Sequence, residues 1–177
     1  MLNILQKLDG FDDTTLTIVG SSEDVLYRRE LFKEIRLLGL EKVIKFEGCV
    51  KHESLPYFYH SHHFLIFPSG YRESKYTIEG CPSVILEGMA SGILVIAGKA
   101  KGVNESILGK DTCKILKDNN TNTIVKAITN LVQNEKLRNV MINNSRLLVK
   151  KQFNLVLYIE RINTILKELV SKQKHSK

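Results

Sequence analysis

Short apolar runs alternate along the chain with longer segments in which apolar residues recur every three or four positions. The short runs are rich in Val, Ile, Leu and Phe and lead into Gly or Pro, which predicts buried strands. They cover residues 16–19, 43–46, 64–67 and 94–97, with a weaker run at 115–116. The longer segments predict helices at about residues 24–38, 54–60, 82–90 and 154–170, with two more between 121 and 154. Helices that join short strands predict right-handed crossovers, so we expect an α/β fold with a Rossmann-like, doubly wound parallel sheet.

Size and composition limit the domain organisation. With 177 residues, of which 43% are hydrophobic, the chain has material for one ordinary core. We therefore expect one domain over residues 1–170 and a basic, disordered tail over 171–177. The apolar face of the helix at 154–170 is expected to pack on the core, with docking to another domain as the alternative.

Cysteine and histidine positions argue against metal and disulfide sites. The three cysteines lie about thirty residues apart without a CxxC pair, so neither a disulfide framework nor a zinc site is expected, and a reducing cytoplasm is indicated. His60, His62 and His63 have no carboxylate or cysteine at matching spacing, and we interpret them as a surface cluster.

The net charge and its distribution along the chain indicate which kinds of ligand or surface the protein binds. The formal net charge is +7, but Lys and Arg are spread along the chain, which favours phosphorylated ligands or an acidic membrane surface over nucleic acid. The N-terminus lacks the apolar run of a signal peptide, and no stretch approaches the roughly 20 apolar residues that span a bilayer. We expect a soluble cytoplasmic protein, with the inner face of the membrane as a place of contact.

The loop at residues 68–81 and the helix after it form the candidate site. Ligands of open α/β sheets bind beyond the carboxyl ends of strands, where this loop lies. Pro82 fits the first helical turn, which predicts that the N–H groups of Ser83, Val84 and Ile85 are free at the positive end of the helix dipole. Such a helix start binds anions, and a diphosphate is the natural candidate.

Two glutamates flank this helix start. Glu87 lies four residues after Ser83 on the same helix face, and a carboxylate accepts two hydrogen bonds from a vicinal diol such as a ribose. Glu79 precedes the helix on the loop side, where a sugar attached to the far phosphate would fit. Helix periodicity alone would make Glu87 an exposed surface residue; the surrounding motif favours a ligand role.

The motif resembles the C-terminal domain of the family 4 glycosyltransferases, which have the GT-B fold. It consists of Glu79 and Glu87 with seven residues between them, then Gly-Met-Ala-Ser-Gly at 88–92, with Phe-Pro-Ser at 67–69 and Gly-Val-Asn-Glu at 102–105. The segments 16–20 and 43–48 also match in order and spacing, so the resemblance covers nearly the whole chain. It implies a domain equivalent to the C-terminal half of a GT-B fold.

The resemblance also implies an activity and a set of ligand contacts. In such a domain a nucleotide-sugar linked to UDP, GDP or ADP donates its sugar to an acceptor hydroxyl with retention, commonly in polysaccharide or glycolipid synthesis, and neither a metal nor a cofactor is needed. Glu79 would contact the donor sugar near the reacting centre as the catalytic residue, and Glu87 would bind the ribose. The further implied donor contacts are Gly80, Cys81, Pro82, Ser83, Val84 and Ile85, and we add Ser69 and Glu105 as candidates.

The chain departs from the family pattern at its start. The resemblance implies that the N-terminal acceptor-binding domain and the first strand of the C-terminal domain are absent, and that residues 1–8 belong to the helix after that strand. A fragment, an inactive remnant, and one half of a split enzyme with an acceptor-binding partner subunit all fit this pattern. A non-catalytic nucleotide-sugar-binding subunit and a nucleotide-sugar epimerase are the other hypotheses.

Overall fold

Short parallel strands alternate with helices along the chain, as the hydrophobic pattern predicted. The computed structural model describes residues 2–8, 13–21, 24–68, 82–98, 103, 108, 111–118 and 120–174. The strands are β1 Leu16–Val19, β2 Ile44–Gly48, β3 Phe64–Phe67, β4 Leu94–Ala97 and β5 Lys114–Ile115. The helices are α1 Asn3–Gln6, α2 Val25–Leu37, α3 Leu55–Ser61, α4 Ser83–Ser91, α5 Thr121–Gln133, α6 Glu135–Gln152 and α7 Leu155–Lys174, and a 3-10 turn, His52–Ser54, precedes α3.

The described strands form two parallel groups. Strand β1 pairs with β2, and β3, β4 and β5 pair in that order. All the pairings are parallel, with Leu16 opposite Ile44 and Phe64 opposite Leu94. The α/β class with parallel strands joined by helices is thus confirmed. Within the described residues, however, β1 and β3 are not hydrogen-bonded to each other, so the sheet is interrupted at that point.

The core is built around β4, whose four residues are all buried. Alternate side chains of a strand point to opposite faces, so β4 contributes to two apolar clusters. Ile96 packs with Ile124 and Leu131 of α5, and Val95 packs with Ile85 and Met89 of α4. Because helices cover both faces, β4 is apolar without alternation, which is the pattern of a central parallel strand.

Helix α7 differs from the sequence-based prediction in two ways. All of its apolar side chains are exposed, from 37% for Leu157 to 69% for Leu155, so the prediction that this face packs in the core is wrong. The helix also continues to Lys174, and residues 171–174 are therefore helical, where a disordered tail was expected. No Gly or Pro follows Val170 to end the helix there. Residues 175–177 lie outside the described part of the chain.

Candidate functional site

The start of α4 presents main-chain N–H groups. Pro82 is the N-cap residue, in an extended conformation, and no side chain caps the helix. Ser83 at the first helical position is exposed. Within the described part of the chain, the amides of Ser83 and Val84 have no acceptor. Because the positive end of the helix dipole adds to these two donors, the helix start suits an anion.

The amide of Ile85 does not contribute to this set. It donates to the carbonyl oxygen of Pro82 with an N···O distance of 3.1 Å, so the prediction that it is free is wrong. The first turn of α4 is tightened so that the Ile85 N–H bonds to a carbonyl three residues earlier, and this donor therefore has an acceptor within the chain. The Ile85 side chain is fully buried and anchors the helix start to the core.

Glu87 lies one turn further along α4 and is held by side chains from α3 and the turn before it. The Tyr59 hydroxyl donates to Glu87 Oε2 over 2.9 Å. His52 Nε2 lies 3.8 Å from Glu87 Oε1, and the Glu87 side chain is 29% exposed. Glu87 is therefore a half-buried, positioned carboxylate, and not the freely exposed surface residue that helix periodicity alone would give.

Tyr59 is a stable donor to this carboxylate. Its side chain is buried in the cluster that also contains Ile85 and Met89. Burial, and after it the hydrogen bond to Glu87 and the charge of that carboxylate, raise the pKa of the Tyr59 phenol well above its ordinary value. The phenol is thus protonated at neutral pH and keeps donating to Glu87.

Tyr59 and His52 were missed by sequence reasoning. Tyr59 is one of several aromatic residues in a short apolar helix, and His52 lies in a turn, so neither has a local motif. What brings them to Glu87 is the direct packing of α3 against α4, the helices before and after β3 in the sequence. No spacing in the sequence could have found them, because the contact depends on how α3 and α4 cross.

The ends of β1 and β2 meet at the edge where ligands bind in parallel sheets. The Gly20 amide donates to the Gly48 carbonyl over 2.7 Å, and Cys49 Sγ donates to Ser21 Oγ over 3.1 Å. His52 follows β2 by four residues and approaches Glu87, which links this edge to α4. Glu87 therefore faces the region beyond the carboxyl ends of the strands.

Several predicted site residues lie in parts of the chain outside the described ranges. Glu79, the expected catalytic residue, lies outside the described residues. The others outside them are Ser69, Gly80, Cys81 and Glu105. Of the predicted histidine cluster, His62 is half-buried and its Nε2 lies 2.7 Å from Thr17 Oγ1, while His60 and His63 are exposed. Among the described residues, no three His, Cys, Asp or Glu side chains are grouped to hold a metal ion.

Comparison with known proteins identifies the family. Residues 1–148 match the model of the family described as glycosyl transferases group 1. The chain belongs to this family. The group 1 assignment and the parallel α/β structure confirm the expectation of a glycosyltransferase-like domain.

Curated relatives of this group 1 chain include two glycosyltransferases. An uncharacterized glycosyltransferase from Haemophilus influenzae is 28% identical over 143 residues, which cover 78% of this chain and 36% of the relative. The GDP-mannose-dependent alpha-(1-6)-phosphatidylinositol monomannoside mannosyltransferase of Mycolicibacterium smegmatis is 28% identical over 120 residues, 68% of this chain and 31% of the relative. The group 1 chain thus spans about a third of the length of these relatives.

Solved structures show the same fold. The C-terminal domain of the group 1 glycosyltransferase LpcC from Francisella tularensis is 25% identical with a TM-score of 0.70, and the match covers 87% of this chain and 76% of that domain. HepE from Anabaena in complex with UDP has a TM-score of 0.80 at 20% identity, over 94% of this chain and 44% of HepE. The expected Rossmann-like C-terminal domain of the GT-B fold is thereby confirmed.

None of the helices in the described ranges is both long and apolar enough to cross a membrane.

Proposed function

We propose that this chain is the donor-binding domain of a retaining family 4 glycosyltransferase. It holds a nucleotide-sugar linked to UDP, GDP or ADP while the sugar passes to an acceptor hydroxyl, in polysaccharide or glycolipid assembly. The observation that carries the proposal is the half-buried Glu87 carboxylate, held by Tyr59 one helical turn from the free amides of Ser83 and Val84. The group 1 family match supports it.

The geometry of α4 suits the two halves of a nucleoside diphosphate. The free amides and the helix dipole attract the diphosphate, because both place positive charge at the helix start. Glu87 lies four residues further on, about 6 Å along the helix axis. A carboxylate repels phosphate but accepts hydrogen bonds from the ribose diol. Its two oxygens offer about four lone-pair positions, so the bond from Tyr59 leaves acceptor capacity for the diol.

The remaining roles follow the resemblance. Glu79 contacts the donor sugar next to the bond that breaks, and the backbone at Gly80 and Cys81 holds sugar hydroxyls and phosphate oxygens. Ser69 and Glu105 approach the same ligand. Developing charge on the leaving diphosphate is stabilised by the donors at the α4 start, and we propose that neither a metal nor a cofactor takes part.

The relatives support a nucleotide-sugar donor in general. HepE forms complexes with UDP and with UDP-glucose, and the M. smegmatis relative is named for its dependence on GDP-mannose. The bases differ between these two proteins, so the present chain is tested with all three nucleotide classes. We place the reaction in the cytoplasm at the inner face of the membrane, in line with the net charge of +7.

A second candidate is a nucleotide-sugar-binding subunit that acts only with an acceptor-binding polypeptide. The exposed apolar side chains of α7 favour it, since a surface of that kind marks contact with another protein or domain. Donor binding is common to both candidates. Transfer of the sugar by the purified chain separates them.

Calorimetric titration of the purified chain with UDP-, GDP- and ADP-sugars tests the donor site. We expect saturable binding of one class, and binding at least about tenfold weaker for Glu87→Gln, because hydrogen bonds to a charged group contribute about 1.5–3 kcal/mol each. Glu41→Gln is the matched control, since Glu41 is exposed in the turn before β2. Equal affinity of the Glu87 variant, or absence of binding at millimolar ligand, would contradict the proposal.

A further inference from the structure

The two carboxylate oxygens of Glu87 have different neighbours. Oε2 accepts a hydrogen bond of 2.9 Å from Tyr59, whose ring is buried. Oε1 lies 3.8 Å from His52 Nε2, and 84% of the His52 side chain is exposed. One oxygen is therefore bound to a buried phenol, and the other lies beside an exposed imidazole.

The separation of His52 and Glu87 suits a group that lies between them. At 3.8 Å the two side chains are too far apart for a direct hydrogen bond, which joins N and O over about 2.7–3.2 Å. One hydroxyl oxygen that bonds to both atoms at ordinary distances would see them at an angle of about 85°. A shift of the exposed ring by about 0.8 Å would open this angle to the tetrahedral value.

A hydroxyl also has the right hydrogen-bonding character for this position. An ionised carboxylate only accepts hydrogen bonds, whereas Nε2 of an imidazole donates in one neutral tautomer and in the protonated form. A hydroxyl does both, since it can donate its proton to Glu87 Oε1 and accept the N–H of His52 with a lone pair. A sugar hydroxyl therefore satisfies both side chains at once.

The His52 ring is free to adjust, while its backbone is held. Among the described residues, its ring nitrogens have no partner other than Glu87. The main chain of the turn is fixed by the Ser54 amide, which donates to the Lys51 carbonyl over 2.9 Å, and by the Leu55 amide, which donates to the His52 carbonyl. The imidazole thus sits on a rigid turn and can move toward a ligand at Glu87.

Folding stability does not account for the position of His52. Ion pairs between exposed side chains contribute little to stability, and the histidine of this pair is largely exposed. The turn that carries it follows β2, at the carboxyl edge where parallel sheets bind their ligands. A role in ligand binding agrees better with both observations.

We propose that His52 is a donor-binding residue that shares one ribose hydroxyl with Glu87. The hydroxyl donates to Glu87 Oε1 and accepts from His52 Nε2–H, so the site selects ribonucleotides over nucleotides that lack this hydroxyl. The inference rests on the proposed function, because it requires a nucleoside diphosphate at the start of α4.

Calorimetric titration of the full chain with UDP, GDP and ADP first identifies the diphosphate that binds. Its 2′-deoxy and 3′-deoxy forms are then titrated, and we expect one of them to bind at least about tenfold more weakly, because it loses a hydrogen bond to a charged group. His52→Ala should weaken the ribose form about three- to tenfold, as expected for one neutral hydrogen bond. With the weak deoxy form the same substitution should change affinity less than about twofold, since the shared hydroxyl is already missing.

Two further variants separate this role from a structural one. His52→Gln keeps an N–H donor near the position of Nε2 and should recover most of the lost affinity. His63→Ala is the matched control, because His63 is also exposed but precedes β3 at the amino end of the strands. We expect it to leave the affinity for every nucleotide unchanged, and thermal unfolding should show no loss of stability for His52→Ala.

The outcomes distinguish this inference from the proposed function. If none of the three diphosphates binds to the wild type at millimolar concentration, the proposed function is wrong and the role of His52 falls with it. If one binds and His52→Ala leaves its affinity unchanged, the role of His52 alone is overturned. Equal losses for the ribose form and both deoxy forms would also overturn it, since His52 would then act without touching a ribose hydroxyl.

Discussion

Helices α4 and α7 are both rich in apolar residues, yet those of α4 are largely buried and those of α7 are exposed. In α4, Ile85 and Met89 are completely buried. In α7, Leu155 is 69% exposed and Leu166 is 54% exposed. Helix α4 connects β3 to β4, so a right-handed crossover lays it on the strands that flank it in sequence. Helix α7 follows the last described strand by two helices. An apolar stripe therefore does not show that a helix is buried. Whether the stripe is buried depends on which other elements of the chain lie next to the helix.

Helix α4 also differs from α7 in how closely its backbone approaches the sheet at Gly88. A Cβ built on Gly88 of α4 would lie 2.7 Å from Leu65 Cδ2 and 3.3 Å from Val95 Cγ2. Glycine at this position lets α4 rest directly on β3 and β4. Glu87, the adjacent residue, is thereby fixed relative to the carboxyl ends of the same strands, so the packing of α4 positions the candidate site.

The largest effect is expected for Met89→Ala in α4. The substitution removes a fully buried side chain and leaves a cavity, which costs about 2–5 kcal/mol. Urea unfolding followed by circular dichroism measures the loss. A cost below about 1 kcal/mol would mean that α4 can collapse onto the sheet, and the contrast with α7 would weaken.

Gly88→Ala is expected to cost about 1–3 kcal/mol, because the added methyl group must displace Leu65 or move α4 from the strands. Ala90 on the exposed side of the same helix offers the matched control, as Ala90→Gly changes helix propensity without touching the sheet. Stabilisation by Gly88→Ala, through its better helix propensity, would show that the close approach leaves room for a methyl group.

Sequence patterns predicted the strands better than the site. The runs at 16–19, 64–67 and 94–97 coincide with β1, β3 and β4, because short, mainly apolar runs that end at Gly or Pro leave little freedom in placement. The ligand role of Glu87 was predicted from its motif and stays a prediction. Its partner Tyr59 was not predicted, because a contact between two helices depends on how α3 and α4 cross, and no local spacing encodes this.

Tyr59→Phe tests whether that contact positions Glu87. Loss of one hydrogen bond is expected to cost about 0.5–1.5 kcal/mol of stability. Nucleotide-sugar affinity should fall several-fold, because the carboxylate is no longer oriented toward the ribose. Tyr57→Phe on the exposed side of α3 is the matched control and should change neither quantity. Lost stability with unchanged affinity would make Tyr59 a structural residue only.

Alkaline pH provides a second test of Tyr59. Its pKa is raised in the folded state, above the value of about 10 that a phenol has in the unfolded chain. The stability that the neutral phenol contributes is therefore complete below about pH 10 and is lost as the pH rises further. The stability difference between the wild type and Tyr59→Phe should stay constant up to about pH 9 and then shrink, as urea midpoints across this range would show. A constant difference at higher pH would contradict the raised pKa.

The smallest effect is expected for Leu166→Ala in α7. Its side chain is half exposed, and substitutions at such positions usually change stability by less than about 0.5 kcal/mol. The same unfolding measurement as for Met89→Ala makes the comparison direct, since both remove a large apolar side chain from a helix. A cost near that of Met89→Ala would mean that α7 is covered in solution. Analytical ultracentrifugation would then show whether the cover is a second copy of the chain, because a dimer that weakens in the variant requires that the α7 face lies in its interface.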